Sequence, residues 1–263
     1  MREHLQERVI RLGVAESLAL GLIQGFTEFF PISSSAHLLL LRTLFPLGEA
    51  HLSLDVLLHT GTWLAVLLVF LPSTGRILRR PSIVLKVLVA TIPAGIFGYL
   101  LEDKVETILR GNLFLVSAVL LGVGIVFLLV RCEGEKTLET MNVRDAAIIG
   151  LLQALALIPG VSRSGITLLG GIGVGLKRSE AVLFSFLLSL TTIGGATALA
   201  LLREASGGMA LFKSALPGFF AALGSGLFSC TVLLKLVREK GLVPFGYYRI
   251  LLGAFFLLFL SLR

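Results

Sequence analysis

Charged side chains are scarce in this sequence. Only 15% of the 263 residues are Asp, Glu, Lys or Arg, whereas hydrophobic residues make up 56% and the mean hydropathy is +0.95. A soluble domain keeps its surface in water with roughly 25% charged residues. This chain has too little charge to cover itself, so its outer surface must face an apolar solvent. The composition predicts an integral membrane protein.

Other absences narrow the chemistry. The two cysteines, Cys132 and Cys230, lack C-x-x-C spacing, which argues against a disulfide framework and a thiolate zinc site. The sequence contains neither the Walker A lysine motif nor H-E-x-x-H, so a P-loop nucleotide site and a zincin site are excluded. The excess of Lys and Arg, 23 against 16 acidic residues, falls between apolar runs. That placement is typical of contacts with lipid headgroups, not with nucleic acid.

Several apolar runs are long enough to cross a bilayer, whose hydrocarbon core needs about 20 residues of helix. Four runs of that length contain no Asp, Glu, Lys or Arg. Two shorter runs qualify as well: one begins just after Lys86, and the other has Arg249 near its start, where its side chain can extend to the headgroups. We therefore predict six transmembrane helices, over residues 56–75, 87–101, 111–130, 181–202, 214–234 and 247–262.

Two further apolar segments, 17–41 and 146–176, contain residues that break helices. The first carries Glu28, Pro31 and three consecutive serines, and the second carries Pro159-Gly160. An ionised group at bilayer depth costs upwards of ~2.5 kcal/mol, and irregular backbone survives there only inside protein or beside a wet cavity. We predict two re-entrant hairpins of half-helices. Their polar turns are named the first polar tip (residues 24–37) and the second polar tip (residues 159–167).

The two broken segments resemble each other. Residues 21–40 align on 150–169 without a gap, and the matches coincide with the helix breakers. Each copy would hold one hairpin followed by three spans, an odd number, so the second copy enters the membrane upside down. We predict one membrane domain of inverted repeats, approximately 13–131 and 142–263, with a site where the broken elements meet. The identical pairs are Gly21/Gly150, Leu22/Leu151, Gln24/Gln153, Ser33/Ser162, Ser35/Ser164, Leu39/Leu168 and Leu40/Leu169.

The first polar tip concentrates reactive groups. Gln24 and Glu28 lie four residues apart on one helical face. An amide and a carboxylate can hold a hard divalent cation when substrate phosphates supply the other oxygens. Ser34 needs a base to become a nucleophile, and His37 follows three residues later. Alternatively, Ser33–Ser35 cap the second half-helix and His37 is a structural core residue. The clustering within one apolar segment favours function.

The second polar tip has the character of an anion site. The planar guanidinium of Arg163 can grip a phosphate through two parallel hydrogen bonds. It lies where a half-helix begins, so free backbone N–H groups and the positive end of the helix dipole favour the same anion. Ser162, Ser164 and Thr167 add hydroxyl donors. The alternative is that Arg163 bonds backbone carbonyls and ties two helices together.

Three further pairs of residues have the four-residue helical spacing. Asp55 and His59 begin a predicted span, and either they line the rim of the site or Asp55 caps the helix. Gly21 and Gly25 predict close helix packing. So do Gly171 and Gly175, which stand in a sequence that otherwise resembles a nucleotide-binding loop. Two anion-oriented tips in apolar surroundings indicate a phosphorylated lipid as ligand, but the residues alone leave hydrolysis and transport open.

The polar tips resemble the signatures of the undecaprenyl-diphosphate phosphatases, the bacitracin-resistance phosphatases of bacterial inner membranes. The segments 55–61 and 248–253 are similar to family sequence as well. Gln24 stands where many members have Glu, which removes one negative ligand. The first signature, (E/Q)-x-x-x-E followed by F-x-P-x-S-S-x-x-H, appears as Gln24, Glu28, Phe29, Pro31, Ser33, Ser34 and His37. The second, P-G-x-S-R-S-x-x-T, appears as Pro159, Gly160, Ser162, Arg163, Ser164 and Thr167.

The resemblance implies hydrolysis of undecaprenyl diphosphate to undecaprenyl phosphate and phosphate, which recycles the lipid carrier of cell-wall synthesis. It implies that Arg163 neutralises the terminal phosphate and that Glu28 with Gln24 holds Mg²⁺ or Ca²⁺. Ser34 would be the nucleophile and His37 its base or the acid for the leaving group, with His37 or water as rival nucleophiles. The alternative function is a transporter or flippase of a phosphorylated polyprenyl lipid. A homodimer is also possible from the sequence. The remaining substrate-binding residues would be Ser33, Ser35, Gly160, Ser162, Ser164 and Thr167.

Overall fold

The structure, a computed structural model, describes residues 13–44, 52–104, 112–130, 133–203 and 209–262. Within those ranges the protein is helical, apart from one isolated β-bridge between Lys136 and Leu176. Cys132 lies outside the described residues, and Cys230 is buried with a free thiol. The helices are α1 (Val14–Phe29), α2 (Ser34–Leu44), α3 (Leu52–Leu78), α4 (Pro81–Lys104), α5 (Leu113–Leu129), α6 (Val143–Ala154), α7 (Arg163–Gly173), α8 (Arg178–Arg203), α9 (Met209–Lys240) and α10 (Val243–Ser261).

Each predicted span coincides with a helix. Across the described part of the chain, five helices are long and apolar enough to cross a membrane: α3, α4, α8, α9 and α10. The sixth, α5, is apolar but only 17 residues long. These lengths confirm a helical, multi-pass membrane protein.

The predicted bounds of several spans were too narrow. Helix α9 runs over Met209–Lys240, whereas the sequence predicted 214–234, and α3 and α4 are also longer than predicted. The predicted bounds were taken from uncharged stretches, but a helix continues with charged residues once it leaves the hydrocarbon region. Prolines also lie within α3, α4 and α9, because neighbouring helices can satisfy the backbone groups that a proline releases.

The predicted helix breaks are confirmed. Helix α1 ends at Phe29 before α2 begins at Ser34, and α6 passes through a short 3₁₀ turn, Leu155–Leu157, before α7. Ser33 and Ser162, which the sequence alignment pairs, both have φ of 74°. That conformation is costly for a residue with a side chain and is found where surrounding structure imposes it. Each serine then accepts a hydrogen bond from a backbone N–H of the half-helix that follows, Ala36 N at 3.4 Å and Gly165 N at 3.2 Å.

Small residues bring α1 and α9 into close contact. A Cβ on Gly21 would lie 2.1 Å from the carbonyl oxygen of Gly218, and one on Gly25 would lie 1.9 Å from Ser225 Oγ. Neither position can therefore carry a larger side chain without moving the helices apart. This confirms the packing role predicted for both glycines.

The prediction for the second glycine pair was half right. Gly171 packs against Ala181, which an added Cβ would approach to 3.0 Å. Gly175 is not in a helix, because α7 ends at Gly173. It lies in the turn before α8 with φ of 93°, and its carbonyl accepts from Lys136 N at 2.9 Å. Its role is to permit this turn, since glycine adopts positive φ without steric cost.

Candidate active site

The two polar tips meet through an ion pair. Arg163, the first residue of α7, donates from Nη2 to Oε1 of Glu28 near the end of α1, at 2.7 Å. Their side chains are only 14% and 7% exposed. In such surroundings a charge is stable only with a partner. The pair therefore holds the two broken segments together and places a cation beside an anion inside the apolar part of the protein.

Glu28 also accepts from two neutral donors. Its Oε2 receives the hydroxyl of Ser34 at 2.7 Å and the amide of Gln24 at 3.0 Å. Ser34 begins α2, and the turn after α1 points its side chain back to Glu28. The carboxylate is therefore in position to accept the proton of the Ser34 hydroxyl.

His37 makes different contacts from those predicted. Its Nδ1 lies 2.7 Å from the Ser33 carbonyl oxygen, and its Nε2 lies 2.7 Å from the Tyr248 hydroxyl. A carbonyl only accepts, so Nδ1 carries a proton, and in the neutral ring Nε2 accepts from Tyr248. The two rings are also stacked, with an interplanar angle of 8°. Both ring nitrogens are thus engaged elsewhere, and Glu28 occupies the position on Ser34 that spacing alone had suggested for His37.

The hydroxyls of the second polar tip are engaged within the protein. Ser162 Oγ caps α7, and Ser164 Oγ donates to the Phe30 carbonyl at 3.2 Å, which adds a second link between the tips. Thr167 Oγ1 lies 2.9 Å from the carbonyl oxygen of Arg163. These contacts hold the tip in shape. In the first tip, Ser35 is exposed and its Oγ lies 3.2 Å from Ser33 Oγ.

Gly160 contributes a backbone conformation. Its φ is 97°, and a Cβ there would lie 2.9 Å from the Val116 carbonyl oxygen. A larger residue would be strained at this position. Gly160 thereby lets the chain turn sharply just before the Ser162 cap.

Arg249 is the residue whose role the sequence interpretation missed. The prediction that its side chain extends to the headgroups is wrong, because it is completely buried. Nη1 donates to the Pro31 carbonyl at 3.1 Å, and Nη2 donates to the carbonyls of Gly160 and Val161. The Phe127 ring lies 5.3 Å from its guanidinium carbon.

Arg249 therefore binds both polar tips at once. Broken helices leave carbonyls without backbone partners, and a planar group with several donors can satisfy carbonyls from two segments together. Bonding backbone carbonyls of two segments is the structural role that the sequence allows as an alternative for Arg163. A sequence signal existed, because a charged residue inside an apolar helix is a candidate functional residue by default.

The structure separates the roles of Asp55 and His59. Asp55 lies in the first turn of α3 and forms a two-point ion pair with Arg42, at 2.5 and 3.2 Å. His59 Nδ1 lies 2.8 Å from the Asp55 carbonyl oxygen, and its Nε2 faces Glu28 Oε2 at 3.8 Å. His59 thus lies at the rim of the site, while Asp55 anchors α2 to α3 through Arg42.

The side chains around Glu28 suit a divalent cation that takes most of its ligands from phosphate and water. Gln24 Oε1 is buried and has no hydrogen-bond partner, although the amide of the same side chain contacts Glu28. Among the described residues, no cluster of three or more His, Cys, Asp or Glu side chains can hold a metal. The protein offers one carboxylate and one amide oxygen, so the remaining ligands would have to be phosphate oxygens and water.

Comparison with known proteins agrees with these signatures. Residues 17–255 match the family model described as bacitracin resistance protein BacA. The chain belongs to this family. A relative from Caldicellulosiruptor bescii, named undecaprenyl-diphosphatase, is 40% identical over 259 residues, covering 94% of this chain and 98% of the relative. Proteins of the same name from Geobacter metallireducens and Thermodesulfovibrio yellowstonii are 37% and 38% identical, covering 92% and 89% of this chain and 96% and 92% of those relatives.

Proposed function

We propose that this protein hydrolyses undecaprenyl diphosphate to undecaprenyl phosphate and phosphate, and so recycles the lipid carrier of cell-wall synthesis. Its family and its similarity to proteins named undecaprenyl-diphosphatase support this function. The observation that carries it is the hydrogen-bonded unit of Arg163, Glu28 and Ser34. A transporter would need the phosphate-binding arginine but has no use for a serine bonded to a carboxylate.

The reaction begins with an exchange of partners at Arg163. The terminal phosphate of the substrate binds the guanidinium in place of Glu28, because a phosphate offers the same paired oxygens with more negative charge. Glu28 is then free to act on the hydroxyl that already contacts it. Positioning and charge neutralisation supply most of the catalysis in phosphoryl transfer.

Ser34 is the nucleophile in this mechanism. Its Oγ attacks the terminal phosphorus as its proton passes to Glu28, and the bond from that phosphorus to the bridging oxygen breaks. Undecaprenyl phosphate leaves, and a water molecule then hydrolyses the phosphoserine, releasing phosphate and restoring the hydroxyl. Attack by His37 would first require Nε2 to break its contact with Tyr248.

A divalent cation, Mg²⁺ or Ca²⁺, fits this mechanism at Glu28 and Gln24. When bound, such an ion supplies positive charge to the diphosphate and to the leaving oxygen. Glu28 then helps to orient the diphosphate, while Gln24 contributes the amide oxygen that otherwise lacks a partner.

The fold proposed for this function has six spans and two re-entrant hairpins in inverted repeats, 13–131 and 142–263, within the bacterial inner membrane. Two observations support it. Ser33 and Ser162 share one uncommon backbone conformation. Within the described ranges, each broken segment is followed by three α-helices, α3 to α5 and α8 to α10. The buried contact between the tips would then lie at bilayer depth, with the polyprenyl tail among apolar helix faces open to lipid.

The function is tested by measuring phosphate release from undecaprenyl diphosphate by the purified protein in detergent with Mg²⁺ or Ca²⁺. We expect the wild type to release phosphate and Ser34→Ala to be at least about 10²-fold slower, since it lacks the nucleophile. His37→Ala should retain more activity than Ser34→Ala. If the wild type releases no phosphate under these conditions, the transporter interpretation replaces hydrolysis.

The cation proposal predicts opposite effects from two substitutions at position 24. Gln24→Ala removes the unpartnered amide oxygen, so we expect it to need a several-fold higher cation concentration for half-maximal phosphate release. Gln24→Glu adds a negative ligand and should need less. A chelator should abolish release by all three proteins. An unchanged cation requirement in both variants would remove Gln24 from the site.

A further inference from the structure

Helix α8 presents two buried hydroxyls to α7. Ser185 and Ser189 lie one helical turn apart and are 1% and 0% exposed. An apolar helix gains nothing from placing serines in a buried contact unless their hydroxyls find partners. Both do, and both partners belong to the turn of α7 that carries Arg163.

The two hydroxyls hold different parts of the same residue. Ser185 Oγ lies 2.7 Å from Thr167 Oγ1, and Thr167 in turn bonds the Arg163 carbonyl oxygen. Ser189 Oγ accepts from Nη1 of Arg163 itself. Ser185 thus supports the backbone of the arginine through Thr167, whereas Ser189 touches its guanidinium.

The direction of the Ser189 contact follows from proton counting. A serine hydroxyl has one proton, and Ser189 Oγ lies 2.9 Å from the Ser185 carbonyl oxygen, which can only accept. The proton is therefore committed to that carbonyl. Ser189 is left with its lone pairs facing a guanidinium that can only donate, so Ser189 is the acceptor in this contact.

Arg163 is accordingly held at two points, Nη2 by Glu28 and Nη1 by Ser189. In the proposed mechanism Glu28 gives up the guanidinium when substrate binds, while Ser189 takes no part in the chemistry. A guanidinium that lost both contacts would be free to change rotamer. The two parallel bonds that a phosphate requires depend on the direction of the fork.

We propose that Ser189 is a positioning residue. It holds the guanidinium of Arg163 in the orientation that binds the terminal phosphate after Glu28 has released the guanidinium. This inference rests on the proposed function, because it assumes that Arg163 binds that phosphate. Helix α8 contributes no residue to either family signature. The inference gives it a direct part in orienting the guanidinium that binds the phosphate.

The test compares four variants by the kinetics of phosphate release. Ser189→Ala removes the acceptor, and we expect kcat/KM to fall about 10- to 100-fold, the usual range for a hydrogen bond to a charged group, mostly through kcat. Ser189→Cys keeps the volume with a weaker acceptor and should resemble Ser189→Ala. The matched control is Ser229→Ala: Ser229 is equally buried and donates to the Ser225 carbonyl at 2.8 Å, in the same helical geometry. The kcat/KM of Ser229→Ala should remain within about two-fold of the wild-type value.

The fourth variant, Arg163→Lys/Ser189→Ala, is compared with Arg163→Lys and shows whether Ser189 acts through the guanidinium. In an Arg163→Lys background the planar fork is absent, so Ser189→Ala should have little further effect, whereas independent effects would multiply. The inference is overturned if Ser189→Ala is as active as Ser229→Ala, if Ser189→Cys restores full activity, or if the two effects multiply. A wild type that releases no phosphate would instead refute the proposed function itself.

Discussion

Replacing Arg163 with alanine is expected to reduce phosphate release by about 10³-fold or more. A transition-state arginine in phosphoryl transfer contributes roughly 10³- to 10⁵-fold to the rate. Arg163 is the charged side chain that joins the second polar tip to Glu28, so its loss would remove the proposed phosphate-binding group together with the ion pair between the tips. The measurement is initial-rate phosphate release at saturating cation, compared with wild type.

Two variants separate catalysis from folding. Arg163→Lys keeps the positive charge but loses the planar fork, and we expect it to fold normally and to remain at least about 10²-fold slow. Arg144→Ala removes an exposed arginine at the start of α6 that belongs to neither polar tip. Its rate of phosphate release should be close to that of the wild type. Near-normal release by Arg163→Lys would mean that the site needs only a point charge, and near-normal release by Arg163→Ala would remove this residue from the mechanism.

The second large effect is expected at Arg249. In Arg249→Ala, the carbonyls of Pro31, Gly160 and Val161 lose their donor while remaining buried. Each unsatisfied buried group costs about 1–3 kcal/mol. We therefore expect a marked drop in the unfolding temperature in detergent, together with a loss of most phosphate release, because the tips lose the contacts that Arg249 makes to both of them.

A second variant and a control keep this prediction testable if the alanine variant fails to fold. Arg249→Met retains much of the side-chain volume and should regain part of the stability without regaining activity. Arg80→Ala breaks an exposed ion pair with Glu139, and it should cost no more than about 1 kcal/mol. If Arg249→Met were as stable and as active as wild type, the carbonyl contacts would be dispensable and the assigned role would be wrong.

Local chemistry explains what could be predicted from the sequence. The helices follow from the length of apolar runs, because the hydrocarbon core imposes about 20 residues on each span. The breaks at Pro31 and Pro159 follow because proline lacks the backbone N–H that a helix needs. Such breaks are expected inside the protein, since lipid supplies no hydrogen-bond partners. The pairing of Ser33 with Ser162 in the alignment anticipated their shared conformation. Each of these properties can be predicted from a short stretch of sequence or from the comparison of two such stretches.

Other differences between sequence and structure concern the partners of polar side chains. Spacing suggested His37 as the base for Ser34. In the structure the Ser34 hydroxyl donates to Glu28 across the turn, and His37 contacts Tyr248 on α10. A position near the start of an apolar run suggested that Arg249 points outward, yet it binds carbonyls of both tips. The contact of Ser189 with Arg163 gave no sequence signal at all.

By itself, the sequence determined that this is a membrane protein, that two of its apolar segments contain helix breaks, and that the breaks carry groups suited to a phosphorylated lipid. Only the tertiary structure decided which donor meets which acceptor. The reason is physical: composition and periodicity specify where a buried polar group lies along the chain and that it must be paired. Which partner it takes depends on helices that are far apart in sequence and that pack together only in the folded protein.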